Sequence, residues 1–149
     1  MFFSLEKSNE AHLSNTEGYS LLYKFKFSQA DVDLFAEVTG DNNPLHLDSE
    51  YAKNTIFKNP IVHGFYVGSV FSRIFGTEYP GEGTIYLNQS LKFLSPVYVD
   101  QYYYAKITVL EVNANKGKAN LLTTVVNEAS EEVLTGQATL MNKIYKKLN

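Results

Sequence analysis

Gly64-Phe65-Tyr66-Val67-Gly68-Ser69-Val70-Phe71-Ser72-Arg73-Ile74-Phe75 is apolar on nearly every side, interrupted only by Ser69, Ser72 and Arg73. A helix of that composition is one surrounded by protein. Asn59-Pro60 breaks the preceding pattern, because the residue before a proline is pushed out of the helical region, so the helix starts near His63. Gly64, Gly68 and Ser72 recur every four residues and form a small-residue stripe, along which another backbone could approach closely. This central helix needs a cover, and the rest of the chain shows what supplies it.

Downstream, Pro80-Gly81-Glu82-Gly83 is turn chemistry, and everything after it reads as strand. Ile85, Leu87, Leu91 and Phe93 alternate with polar residues as far as Pro96. Ala105, Ile107 and Val109 alternate with Lys106 and Thr108. Ala119 to Val126 is rich in Leu, Thr and Val, and Leu134, Gly136, Ala138 and Leu140 alternate again. Turns fall at Asn113 to Gly117 and Asn127 to Ser130.

Upstream, aromatic residues alternate with Lys24 and Lys26 from Tyr23 to Phe27, the period of a half-buried strand. Ser28-Gln29-Ala30-Asp31 is a capping box that opens a helix with Val32, Phe35 and Ala36 on one face, ending at Gly40. Asp48 is an N-cap for a short turn through Tyr51 to Lys53. One strand, helices, then four strands on short turns define the α+β class, a single antiparallel sheet that must wrap its helix. The polar, aperiodic run from Ser8 to Ser20 reads as a loose arm. The expected division is an extension over 1–20, the domain over 21–142 and a basic tail over 143–149.

The chain has 149 residues, enough for one domain with one hydrophobic core. Hydrophobic residues make up 44% and charged residues 19%, far from the composition of disordered chains. A net charge of -3, with basic residues clustered only at Lys143, Lys146 and Lys147, argues against nucleic acid as a partner. Cysteine is absent, which removes disulfides, thiol nucleophiles and thiolate ligands and leaves carboxylates, histidines and hydroxyls to do chemistry. The first residues have too short an apolar run and no basic start for a signal peptide, and no stretch is long enough to span a membrane, so a cytoplasmic protein is expected.

Two segments carry candidate chemistry. In Asp41-Asn42-Asn43-Pro44-Leu45-His46 the proline stiffens a bend that can bring a carboxylate and an imidazole toward one point, where they could hold a water. From spacing alone the same residues also read as turn chemistry, with Asp41 capping and His46 packed. In Pro60-Ile61-Val62-His63-Gly64 the first turn of the helix offers unpaired N–H groups and a positive dipole end, and glycine lets a substrate oxygen approach them. Here too a packing role for Gly64 and a core role for His63 stand beside the functional one. A metal site among His12, His46 and His63 is not expected, since no pair has helical ligand spacing. Tyr102, Tyr103 and Tyr104 read as a strand or dimer surface. Phosphate loops and nucleophile elbows are missing.

Together, Phe35 to Asp48 and Pro60 to Gly64 resemble the MaoC-like, (R)-specific enoyl-CoA hydratase family, and the resemblance continues through Gly83 to Phe93. It implies the hotdog fold, a curved antiparallel sheet around a long central helix, as a homodimer joined sheet edge to sheet edge. It implies addition of water to a trans-2-enoyl thioester, without a cofactor, with Asp41 and His46 as the catalytic pair and the Gly64 N–H on the thioester oxygen. Ser72 matches a family serine near the site, and Asn43 and His63 lie within the two motifs and are carried as substrate-binding. Phe65, Phe71 and Phe75 are expected to shorten an acyl pocket. The competing readings are a dehydratase acting on acyl carrier protein thioesters, a hotdog thioesterase and a noncatalytic acyl-binding module.

Overall fold

The computed structural model describes residues 1–8 and 15–146. Among these, seven strands form one antiparallel sheet: β1 (Phe2–Ser8), β2 (Ser20–Lys26), β3 (Ile85–Gln89), β4 (Lys92–Phe93), β5 (Tyr103–Asn113), β6 (Lys118–Asn127) and β7 (Glu132–Met141). The order across the sheet is β1-β2-β5-β6-β7-β3, with β4 also paired to β7. Between β2 and β3 lie α1 (Gln29–Thr39), α2 (Pro44–Leu47), α3 (Ser49–Lys53) and α4 (Gly64–Arg73), the last continuing as a π-helical turn over Ile74–Glu78. No helix among the described residues is long and apolar enough to cross a membrane.

Alternation places Leu21, Tyr23 and Phe25 of β2, Ala105, Ile107 and Val109 of β5, Ala119, Leu121 and Val125 of β6, and Leu134, Ala138 and Leu140 of β7 in the core. They pack with Val67, Val70, Phe71, Ile74 and Phe75 of the helix, which is the wrapped arrangement that the resemblance implies. Removing each of the valine, leucine, isoleucine and phenylalanine side chains from water contributes about 1.5–3 kcal/mol, the term that holds sheet to helix. Thr123 interrupts the apolar run of β6 at full burial, and its hydroxyl accepts a hydrogen bond from Gln89 Nε2 at 2.9 Å. The buried polar group is therefore satisfied.

Several expectations shift. The helix is not buried all round: Phe65, Ser69, Ser72 and Arg73 are exposed, because the sheet covers one flank and the first turn opens into a cavity. The small-residue stripe seats side chains rather than a backbone. A Cβ on Gly64 would lie 2.7 Å from the Phe93 ring, and one on Gly68 would lie 2.8 Å from Leu91.

The run from Ile85 to Phe93 is two strands; Leu91 between them faces the helix, but in β3 the inward face is the opposite of the one expected. Tyr86 packs edge-on against Phe75 at 5.2 Å, while Ile85 and Leu87 are 53% and 43% exposed. Tyr86 pairs with the core residue Leu140, and an irregularity in register between Tyr86 and Asn88, on the last strand of the sheet, interrupts the alternation beyond it. Between the two strands, Ser90 crosses over Gly136, whose N-terminal neighbours in β7 stay paired to β6.

The boundary at residue 20 also moves. Residues 2–8 form β1 on the free edge of β2, with Phe3 stacked on Tyr23 at 5.1 Å; residues 9–14 lie outside the described residues. At the other end Lys143–Tyr145 makes a 3-10 turn with Tyr145 only 1% exposed, so part of the basic tail belongs to the core. Residues 147–149, Lys147 among them, are outside the described residues.

A Cβ on Gly136 would collide with the Ser90 carbonyl, and backbone cannot yield as a side-chain tip can. Gly136→Ala is expected to destabilise the fold by about 1–3 kcal/mol, the usual cost of overpacking, read as a lower urea midpoint.

Candidate active site

The capping box forms as expected, with Asp31 Oδ2 accepting from the Ser28 N–H at 2.8 Å. Gly40 ends α1 in the left-handed region at φ 77 and its N–H returns to the Ala36 carbonyl at 2.8 Å. A glycine adopts that conformation without strain. The chain then doubles back, and Asn43 caps α2: its side-chain oxygen accepts from the Leu45 N–H at 3.1 Å, with Pro44 in the first turn. Asn43 is thus a structural cap, and its contribution to the site is to aim α2.

His46 leaves α2 toward Ile61. A carbonyl oxygen can only accept, so the 2.7 Å contact between His46 Nδ1 and the Ile61 oxygen places the ring hydrogen on Nδ1 and leaves Nε2 with its lone pair. The Gln29 side chain donates to the His46 carbonyl at 3.0 Å. In the opposite direction, His63 Nε2–H donates to the Asp41 carbonyl at 3.0 Å. The two imidazoles pack with centroids 3.8 Å apart and planes 31° from parallel. One donor atom from each of Asp41, His46 and His63 lies within 4.8 Å of the others.

Asp41 has its side chain 54% exposed, whereas His46 is partly buried. Burial pushes the His46 pKa below its ordinary value of 6.5; the Ile61 carbonyl opposes this, the neighbouring His63 adds to it and Asp41 opposes it.

A cavity of about 430 Å³ opens beside this cluster. His46 and Gly64 stand in its wall with Phe57, Ile61, Phe65 and Phe93. No side chain caps the start of α4, whose first turn lines the cavity through Gly64 and Phe65. His63, 2% exposed, lies behind this wall rather than in it. Ser72 is exposed two turns farther along α4 and does not line the cavity. Of the three phenylalanines expected to shorten a pocket, only Phe65 lines it; Phe71 and Phe75 are core. His12 lies outside the described residues.

Among the described residues, Asp41, His46 and His63 could each offer one ligand atom to a metal ion, although His46 Nδ1 and His63 Nε2 are committed to backbone carbonyls. His46 Nε2 and the buried His63 Nδ1 keep their lone pairs, and at the cavity the His46 imidazole meets the start of α4 with the Asp41 carboxylate close to the ring, an arrangement that can move a proton on and off a water while a neighbouring oxygen takes up negative charge.

Sequence reasoning did not foresee Gln29 on the His46 carbonyl, or Leu94 and the Val133-Leu134 pair at the cavity. Gln29 reads as the first turn of a helix, and the others are ordinary strand or loop residues, so only tertiary placement marks them.

Fold and site together define a hotdog protein equipped for acid/base chemistry. The chain belongs to the MaoC like domain family, whose sequence profile matches residues 9–133. It is 38% identical over 135 residues to an (R)-specific enoyl-CoA hydratase from Aeromonas caviae, covering 91% of this chain and 93% of that one. Over 121 residues it is 37% identical to a 3-hydroxybutyryl-CoA dehydratase from Methylorubrum extorquens, covering 81% and 76% of the two chains. The solved (R)-hydratase of A. caviae superposes with a TM-score of 0.81 at 37% identity, covering 85% of this chain and 96% of that one.

The direction of the His46 shift gives a stability signature. Below pH 6.5 the unfolded chain takes up the proton before the folded one does, so stability falls as pH drops from 6.5 toward the lowered folded value. Urea denaturation across that window should show a steeper loss for the wild type than for His46→Gln.

Proposed function

We propose that this chain is an (R)-specific enoyl-CoA hydratase, a hydro-lyase that reversibly adds water to trans-2-enoyl-CoA to give (R)-3-hydroxyacyl-CoA. The observation that carries the reading is the meeting, at one apolar cavity, of the His46 imidazole and the uncapped start of α4, with the Asp41 carboxylate alongside. The family resemblance and the named relatives support it. The acyl chain lies along Phe57, Phe65 and Phe93, and the thioester oxygen points at the Gly64 N–H. Water loses a proton to the pair as its oxygen bonds to C3. The C2=C3 electrons move toward the thioester, where the amides stabilise the enolate oxygen, and the pair returns a proton to C2. His46 takes part in the form that the Ile61 carbonyl imposes, with Nε2 free to accept.

A homodimer is part of this reading. Among the described residues β3 pairs only with β7 and ends the sheet, Ile85 and Leu87 are exposed on it, and Phe93 and Leu94, 49% and 41% exposed, continue the apolar surface to the cavity. A second copy on that edge would cover them. Light scattering should give twice the chain mass, and Leu87→Lys should lower it.

A dehydratase acting on acyl carrier protein thioesters is the second reading. It is favoured by 40% identity over 92 residues, 62% of this chain, to a mitochondrial 3-hydroxyacyl-[acyl-carrier-protein] dehydratase of Arabidopsis thaliana. Matched CoA and carrier-protein substrates separate the two.

With crotonyl-CoA, loss of the enoyl absorbance should follow wild-type enzyme, and Asp41→Ala and His46→Ala should each lower kcat/KM roughly 10²- to 10⁴-fold. A wild type inactive on both carriers would refute the reading, and chirality of the product tests the (R) assignment. Because the base form of His46 persists below pH 6.5, the acid limb of kcat/KM should lie under that value.

A further inference from the structure

We propose that His63 is a positioning residue of the water-addition site, holding the Asp41 main chain and supporting the His46 ring so that both members of the acid/base pair are placed by one buried imidazole. This rests on the hydratase reading above.

The observations are geometric. His63 is 2% exposed and absent from the cavity wall, so it does not reach a substrate. Its Nε2–H holds the Asp41 carbonyl at 3.0 Å, while His46 Nδ1–H holds the Ile61 carbonyl at 2.7 Å. Each histidine therefore grips the backbone of the other's segment, and the 41–46 bend and the 61–63 strap are braced in both directions. The rings sit 3.8 Å apart, and Phe35 packs on His63 at 4.9 Å.

A purely space-filling role fits poorly with this chemistry. His63 Nδ1 is buried without a hydrogen-bond partner among the described residues, a cost that a phenyl ring at the same place would not carry. The imidazole also acts on its neighbour: Asp41 favours and His63 disfavours charge on His46, and these are the titratable side chains that bear on it. Phe57, Ile61 and Val97 of the same wall are apolar, and apart from His46 its lining carries no titratable side chain, Ser95 being its other polar one.

Two variants separate the contributions. His63→Gln keeps an N–H donor and loses the ring, and His63→Phe keeps a ring and loses the donor. In crotonyl-CoA hydration both are expected to lower kcat roughly ten- to a hundredfold, the range for groups that orient a reacting residue, with KM little changed. In His63→Gln the acid limb of kcat should also move up, and His46 should titrate at higher pH by NMR, which a merely structural role would not require. The chain has three histidines, so their signals are separable. Wild-type kcat and an unmoved His46 titration in the folded variants would overturn the proposal. If neither variant folds, nitrogen shifts of the wild-type His63 ring decide, since an Nε2 without a hydrogen overturns it and one with a hydrogen supports it. The titration needs no turnover, so an inactive wild type would sink the hydratase reading while leaving the role of His63 separately testable.

Discussion

Everything at the site depends on two backbone carbonyls, those of Asp41 and Ile61, each held by the imidazole of the other segment at 3.0 and 2.7 Å. Neither segment belongs to the sheet, and each is short. Alone, a bend such as 41–46 would sample many conformations at a backbone entropy cost that α2, one turn long, cannot offset. Cross-bracing fixes them to each other. The neighbouring bonds, Ile61 N–H to the Leu45 carbonyl at 3.3 Å and Val62 N–H to the Val97 carbonyl at 2.7 Å, then tie the strap to α2 and to the loop before β5. The sheet positions α4, α4 positions Gly64, and the strap transmits that position to His46.

What could be read in the sequence were the features set within a few residues. The Ser28-Asp31 box, the Gly40 stop and the Asp48 cap follow from local hydrogen bonding and from one left-handed conformation, and each is where its residues imply. Alternation in β5 and β7 was equally legible, because both strands are flanked on both sides and one face meets the helix. β3 was not, because a register irregularity interrupts its alternation at a sheet edge, and alternation alone does not say which side of an edge strand is covered.

The site divides in the same way. Asp41 and His46 sit in one motif, and their closeness follows from a proline-stiffened bend, which spacing can suggest. His63 and Gly64 are adjacent in sequence but turn to opposite sides of the wall: the glycine faces the cavity and the histidine backs it. Nothing in the string Val62-His63-Gly64 separates these roles, since the division depends on which side of the helix start is occupied by Asp41 and Phe35 and which by Phe93. Ser72 shows the converse, a residue whose spacing from Gly64 puts it on the same stripe while two turns of helix carry it out of the cavity.

The distribution of polarity around the cavity fits a reaction in which charge is brief. Its walls are mainly phenylalanine, isoleucine, leucine and valine, a setting in which a permanent charge is expensive and a transient one is strongly influenced by nearby dipoles. Burial keeps the resting His46 toward its neutral form, and the uncapped amides of α4 supply a positive end that costs no reorganisation when an oxygen becomes anionic. Asp41, more than half exposed, keeps its charge near water instead of in the apolar space. A histidine that must alternate between proton acceptor and donor needs surroundings that favour neither state overwhelmingly. Here burial and His63 disfavour its charge, while the Ile61 carbonyl and Asp41 favour it, and the balance rests on the same braced geometry that holds the ring in place.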